Sequence, residues 1–168
     1  AGSMGGTVAQ HLVLRHPARV LRLLLVASGA FNPDPQAALA GIEALERQPL
    51  PESAMDGIAR GYFHTPPAEP VLARIRAIAF MASQQAAVDA GRSNAGNDTL
   101  ASLSAIRVPT LIMQGRHDKG RTPEHGAEMR DRISGARLEI LENSGHTPQL
   151  EEPEAFHALA LPFLLEGR

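Results

Sequence analysis

The chain has 168 residues, 43% of them hydrophobic and 20% charged, with a formal net charge of −2; it is long enough for one domain with its own core and too apolar for a disordered tail. The balanced charge excludes the clustered basic surface that a nucleic-acid partner needs. The absence of cysteine excludes disulfides, thiolate metal sites and a cysteine nucleophile and suits a cytoplasmic location, and no apolar run reaches the roughly 18–20 residues of a membrane span.

The chain begins AGSMGG. A serine among small residues predicts a sharp turn from strand to helix that raises the hydroxyl at the strand's end. The helix is expected from Gly5 to His16, apolar at Val8, Leu12 and Val13 and closed by Pro17. VLRLLLVAS (20–28) lacks alternation, as a strand covered on both faces should. From Phe31 to Ser104 prolines punctuate helical stretches. The strongest is EPVLARIRAIAFMASQQAAVDA, with Val71, Ile75, Ile78 and Met81 on one face; GRSNAGNDTL after it reads as a loop.

Strand–helix alternation then resumes. VPTLIMQG (108–115) is a buried strand. TPEHGAEMRDRI is a helix capped by Thr122, with Pro123 at its first position and Gly135 ending it. ARLEILEN is a third strand. EPEAFHALALPFLLEG closes the chain as a helix with Phe156, Leu159, Ala160 and Phe163 on one stripe and Pro162 kinking its last turn. The pattern predicts an α/β fold, a parallel sheet with helices on both faces. Residues 1–30 and 105–168 would form the core domain, and residues 31–104 a helical cap.

A serine hydroxyl is a weak nucleophile unless a base lies within hydrogen-bond reach, and the base needs an orienting acid. In open α/β sheets such groups collect at the C-terminal ends of strands. LIMQGRHD ends one strand with Asp118, and LEILENSGH ends the next with His146. The order Ser3, Asp118, His146 is one that serine hydrolases use, and Ala1-Gly2-Ser3-Met4-Gly5 fits the G-x-S-x-G turn with alanine for its first glycine. Asp34 is a rival acid, but it lies several residues past the end of the first strand, so Asp118 is preferred. Of the seven histidines, His11 and His16 are expected at the surface, His125 and His157 in helices, and His117 in a loop it shapes. His64 is a candidate substrate contact. Phe31, Tyr62, Phe63, Phe80 and Met81 either line an acyl pocket or pack the cap onto the body. HTPPAE and RHDKGRTPEH hold potential metal ligands but lack the spacing of a metal site, so no metal and no cofactor is expected.

Three blocks, GSMGGTVAQHLVLRHPARVLRLLLVAS, VPTLIMQGRHDKGRTPEHGAEM and LEILENSGHTPQLEEPEAF, together resemble the C-terminal part of α/β-hydrolase fold enzymes. The resemblance implies Ser3 as nucleophile, His146 as base, Asp118 as acid and the Met4 backbone N–H as one oxyanion donor. It also implies further strands and a second oxyanion donor on an N-terminal half, supplied by the same or a separate chain. Without that half the expectation is poor solubility and little activity, or self-association as a homo-oligomer. The implied substrate is a small carboxylic ester or lactone. Carbon–carbon bond hydrolysis of ring-cleavage products is an alternative that Thr147, where such enzymes often carry an aromatic residue, disfavours. A non-catalytic fragment or subunit is the other.

Overall fold

The computed structural model describes residues 1–48, 51–79 and 81–166. Among them, strands β1 (Leu23–Val26), β2 (Thr110–Gly115) and β3 (Arg137–Leu141) form one parallel sheet in that order. Gly2 bridges Val26 in parallel on the far side of β1. There the Ser3 N–H donates to the Val26 carbonyl at 2.9 Å and the Val26 N–H to the Ala1 carbonyl at 2.9 Å.

The strand is shorter than the expected 20–28. Val20 closes a tight turn by donating to the Pro17 carbonyl, and after Val26 the chain bends through Ala27, at φ 47°. β2 is buried along its whole length. Its successive side chains serve opposite faces, as the pleat requires. Leu23 and Leu25 of β1 and Ile112 of β2 face Val13 of helix α1 (Met4–Arg15) and Met129 of α6 (Pro123–Arg132). Leu111, Met113 and Leu141 face Ala160 and Phe163 of α8 (Pro153–Leu165), with Phe156 and Leu159 packed alongside. The sheet therefore has helices on both faces, and the stripe expected of the closing helix is the one it buries. Pro162 lies in the last turn of α8.

Helix α1 departs from its expected face. It buries Gly6, Thr7, Gln10 and Val13, while Val8 is 64% and Leu12 46% exposed. A buried polar face needs partners, and Gln10 has them: its Nε2 donates to the Gly29 carbonyl, and its Oε1 accepts from Thr99. Gln114 of β2, also buried, accepts from the Ser28 N–H and donates to the Ser28 carbonyl, fixing the chain just past β1.

Among the described residues, the stretch 35–95 carries four helices in two pairs. α2 (Pro35–Arg47) packs on α5 (Gln84–Ala95), and α3 (Glu52–Gly61) on α4 (Glu69–Ala79). The stretch expected as one helix from residue 69 is divided, because Ser83 caps a new helix by accepting the Ala86 N–H at 3.1 Å. α5 then runs to Ala95, through half of the expected loop. Gly91 makes that packing close: a Cβ there would stand 3.0 Å from Ile42. The expected stripe on α4 is also corrected. Val71 and Ile78 are exposed and Met81 is 84% exposed, whereas Leu72 is buried with Ala59 and Phe63, and Ile75 packs against them. Four of the eleven residues of α4 are alanine or proline, so apolar spacing alone leaves two faces nearly equivalent.

α6 begins as expected, with Thr122 and His125 forming a reciprocal cap. It ends at Arg132 rather than at Gly135, whose φ of +74° instead reverses the chain into β3. The short helix α7 (Pro148–Glu151) precedes α8. Among the described residues no helix is long and apolar enough to cross a membrane, and no group of three metal-ligating side chains gathers.

Candidate active site

Ser3 sits between the Gly2–Val26 bridge and the first turn of α1, at φ 49° and ψ −124°. A non-glycine residue in this left-handed region is strained, and such strain persists only where the surroundings enforce it. Here β1 fixes one side and α1 the other. Ser28, fully buried beneath the turn, donates from its hydroxyl toward the Ser3 and Val26 carbonyls. The helix can sit this low because residue 6 is glycine: a Cβ there would fall 2.1 Å from the Ser28 Oγ. Gly5, the glycine of the motif, faces open space. As first residue of α1, Met4 has no intrahelical acceptor for its N–H, and that donor lies next to the Ser3 side chain.

Asp118 lies three residues past β2, and His146 five past β3. Gly115 lets the two loops meet, since a Cβ there would be 2.0 Å from the Gly145 carbonyl oxygen. The Asp118 Oδ1 accepts from the backbone N–H groups of Gly120 and Arg121 at 2.8 and 2.9 Å. Its Oδ2 lies 2.6 Å from His146 Nδ1, and His146 Nε2 lies 2.9 Å from the Ser3 Oγ. The Asp118 side chain is 1% exposed and that of His146 17%. With both carboxylate oxygens committed, Asp118 can hold one tautomer of the imidazole and leave Nε2 to accept a proton. Asp34 is elsewhere, exposed, capping α2 through the Ala37 N–H at 2.9 Å.

The remaining candidates separate. Tyr62 stacks on His146, with ring centroids 5.4 Å apart, and its carbonyl accepts the His146 N–H at 2.7 Å. It lines a cavity of about 400 Å³ with Ser3, His146, Ile58 and Arg121. Phe31 packs against the core and does not line that cavity, although its carbonyl accepts from Arg121. Phe63 is buried in the cluster between α3 and α4. His64 lies flat on His117 at 3.6 Å and lines a neighbouring cavity. Met81 is on the surface, and Phe80 lies outside the described residues.

Two glutamates that the motifs do not single out secure the His146 loop. The Glu151 Oε1 accepts from the Gly145 N–H at 2.8 Å and the Thr147 hydroxyl at 3.1 Å, while its Oε2 accepts from the His64 and Thr65 N–H groups at 2.6 and 3.3 Å. The carboxylate thus ties the His146 loop to the loop after α3. Gly145 completes the seam, because a Cβ there would be 2.7 Å from the His64 nitrogen. Glu152 takes the Asn143 N–H and the Ser144 hydroxyl. Burial pushes its carboxyl up, but these hydrogen bonds outweigh burial and hold it below its ordinary value. The only hint in the sequence is the adjacent pair of carboxylates five and six residues after His146.

Residues 1–159 match the alpha/beta hydrolase family, and the chain belongs to it. It is 32% identical over 174 residues to a pimeloyl-[acyl-carrier protein] methyl ester esterase of Neisseria meningitidis serogroup B, covering 98% of this chain and 67% of that protein. It is 29% identical over 171 residues to a 2-hydroxy-6-oxononadienedioate/2-hydroxy-6-oxononatrienedioate hydrolase of Klebsiella pneumoniae, covering 96% of this chain and 59% of that one. The enol-lactonase of Burkholderia xenovorans LB400 superposes with a TM-score of 0.88 at 27% identity, over 98% of this chain and 64% of that one. The chain thus spans about two thirds of the length of these relatives, or less.

Proposed function

We propose that the chain carries the catalytic residues of a serine hydrolase acting on small carboxylic esters or lactones. The observation that carries this reading is the unbroken run from the Asp118 Oδ2 through His146 to the Ser3 Oγ, at 2.6 and 2.9 Å. His146 Nε2 takes the hydroxyl proton as the Ser3 Oγ attacks the carbonyl carbon. The Met4 N–H donates to the oxyanion, and Asp118 stabilises the imidazolium. Collapse expels the alcohol, which takes the proton from His146 and leaves an acyl-serine. Water, deprotonated by His146, then attacks the acyl carbon and releases the acid and the serine.

Residues 31–104 act as the cap, meeting the site through Tyr62. A second oxyanion donor and a cover for the exposed Met4, Val8 and Leu12 come from polypeptide beyond these residues, in keeping with the greater length of the relatives. Lack of one oxyanion donor costs about 2.7–4 kcal/mol of transition-state stabilisation. An esterase and an enol-lactonase among the relatives support the substrate class. The test is covalent labelling by a serine-directed phosphonate. Label on Ser3, lost in Ser3→Ala and strongly slowed in His146→Ala, is the expected result. A folded protein that stays unlabelled would leave a non-catalytic subunit as the reading.

A further inference from the structure

The candidate cavity holds a cation that the acyl-transfer steps do not use. Arg121 follows Asp118 by three residues, and its own N–H is fixed on the Asp118 Oδ1. Its Nη1 donates to the Phe31 carbonyl at 3.1 Å. The side chain lies across bare backbone: a Cβ on Gly29 would be 3.3 Å from Nη1 and 3.4 Å from Cδ. Burial pushes the guanidinium below its ordinary value, opposed by the Asp118 charge. Yet none of the salt bridges among the described residues includes Arg121. The nearby Asp118 directs its oxygens to the His146 ring and two backbone N–H groups instead, and its charge reaches Arg121 without a direct ion pair. A partly buried arginine with one neutral acceptor is costly, and most of its five N–H donors are left to bind something else.

Resting on the serine-hydrolase reading, we propose that Arg121 recognises an anionic end of the substrate, so that the preferred ester carries a second, free carboxylate. Arg121 and Ser3 line the same cavity of about 400 Å³, and Ile58, Pro33 and Tyr62 add apolar wall to it. The planar fork of a guanidinium matches a carboxylate, and the apolar wall suits the short methylene chain of a dicarboxylic acid monoester. The ester carbonyl then lies at Ser3 and the free carboxylate at Arg121.

Binding to the intact protein carrying Ser3→Ala separates this from turnover. Monomethyl glutarate and dimethyl glutarate, compared by calorimetry, differ chiefly in the charge. The monoester is expected to bind at least about tenfold more tightly, as befits a charge-assisted hydrogen-bonded pair, and Arg121→Met is expected to erase the preference. Arg121→Gln, which can still donate to the Phe31 carbonyl, erases it as well and serves if the methionine variant does not fold. Equal binding of the two esters by a folded Ser3→Ala protein, or a preference that survives loss of Arg121, overturns the proposal. Failure of the hydrolase reading is seen separately, as absent phosphonate labelling in the protein with Ser3 intact.

Discussion

The sheet and the four helices of residues 35–95 hold together by different means. The sheet buries leucine, isoleucine and methionine on both faces and secures its strand ends with buried amides such as Gln114. Among the described residues, α3 and α4 share one small apolar cluster around Leu72, while α2 and α5 meet where Gly91 lies against Ile42. Ion pairs near the surface add to this: Asp56 and Glu69 with Arg60 and Arg76, and Glu46 with Arg92. The three residues proposed for chemistry all stand on the firmer part. The helical part offers the site a wall, through Ile58 and Tyr62. On the proposed reading, reactivity and access fall to regions held together by different means, as expected where access requires motion and chemistry requires fixed geometry.

The comparison can be broken most directly at the reacting atoms. Ser3→Ala is expected to lower ester turnover at least about 10³-fold while leaving the denaturation midpoint nearly unchanged, checked by kinetics alongside urea unfolding. Next in size is a pair of truncations. Ile112→Ala, at a fully buried strand position, should cost about 2–5 kcal/mol of global stability. Leu72→Ala should mainly raise amide exchange within α3 and α4, and an equal loss of global stability from both would show the two regions to be one cooperative unit. At the seam, Glu151→Ala should lower kcat by roughly ten- to a hundredfold through a displaced imidazole. Glu151→Gln should recover part of that, and phosphonate labelling rates would follow the same order.

Acid acts on the same loop through Glu152. Its carboxyl is held below the ordinary value of 4.5 in the folded protein. The associated stability is therefore fully present above that value and is lost as the pH falls through the lowered one. The midpoint should fall more steeply in the acid limb for the native protein than for Glu152→Gln. The smallest effect concerns salt. At about 1 M, where charges are screened within roughly 3 Å, exchange in α3 and α4 should rise modestly while the strands keep their protection.

What could be read in advance follows the range of the interactions involved. Ser3, Asp118 and His146, which the fold brings together, each sit in a short segment whose turn residues and neighbouring strand are local in sequence, so motif and order suffice to mark them as candidates. Gly6 was legible only as part of a glycine-rich turn, because its need for a missing side chain comes from Ser28, far along the chain. Arg121 and Glu151 have no local signature. One matters because Gly29 and the Phe31 carbonyl lie beneath it, the other because residues 63–65 fold back over Gly145. The alanine-rich helices misled for a different reason: where little area is buried, few residues mark the inner face, and the cap at Ser83 decided the division.

The seam at Gly145 bears on transplantation. Helical segments over a sheet invite exchange between relatives as ready-made modules, with cut points chosen at strand ends. A foreign segment spliced in here would arrive without a carbonyl placed as that of Tyr62 is, and without two N–H groups aimed at Glu151. The host would then lose the outer support of its own imidazole. A workable graft carries the stretch from Tyr62 to Thr65 with the host sheet and confines the foreign sequence to the helices around it.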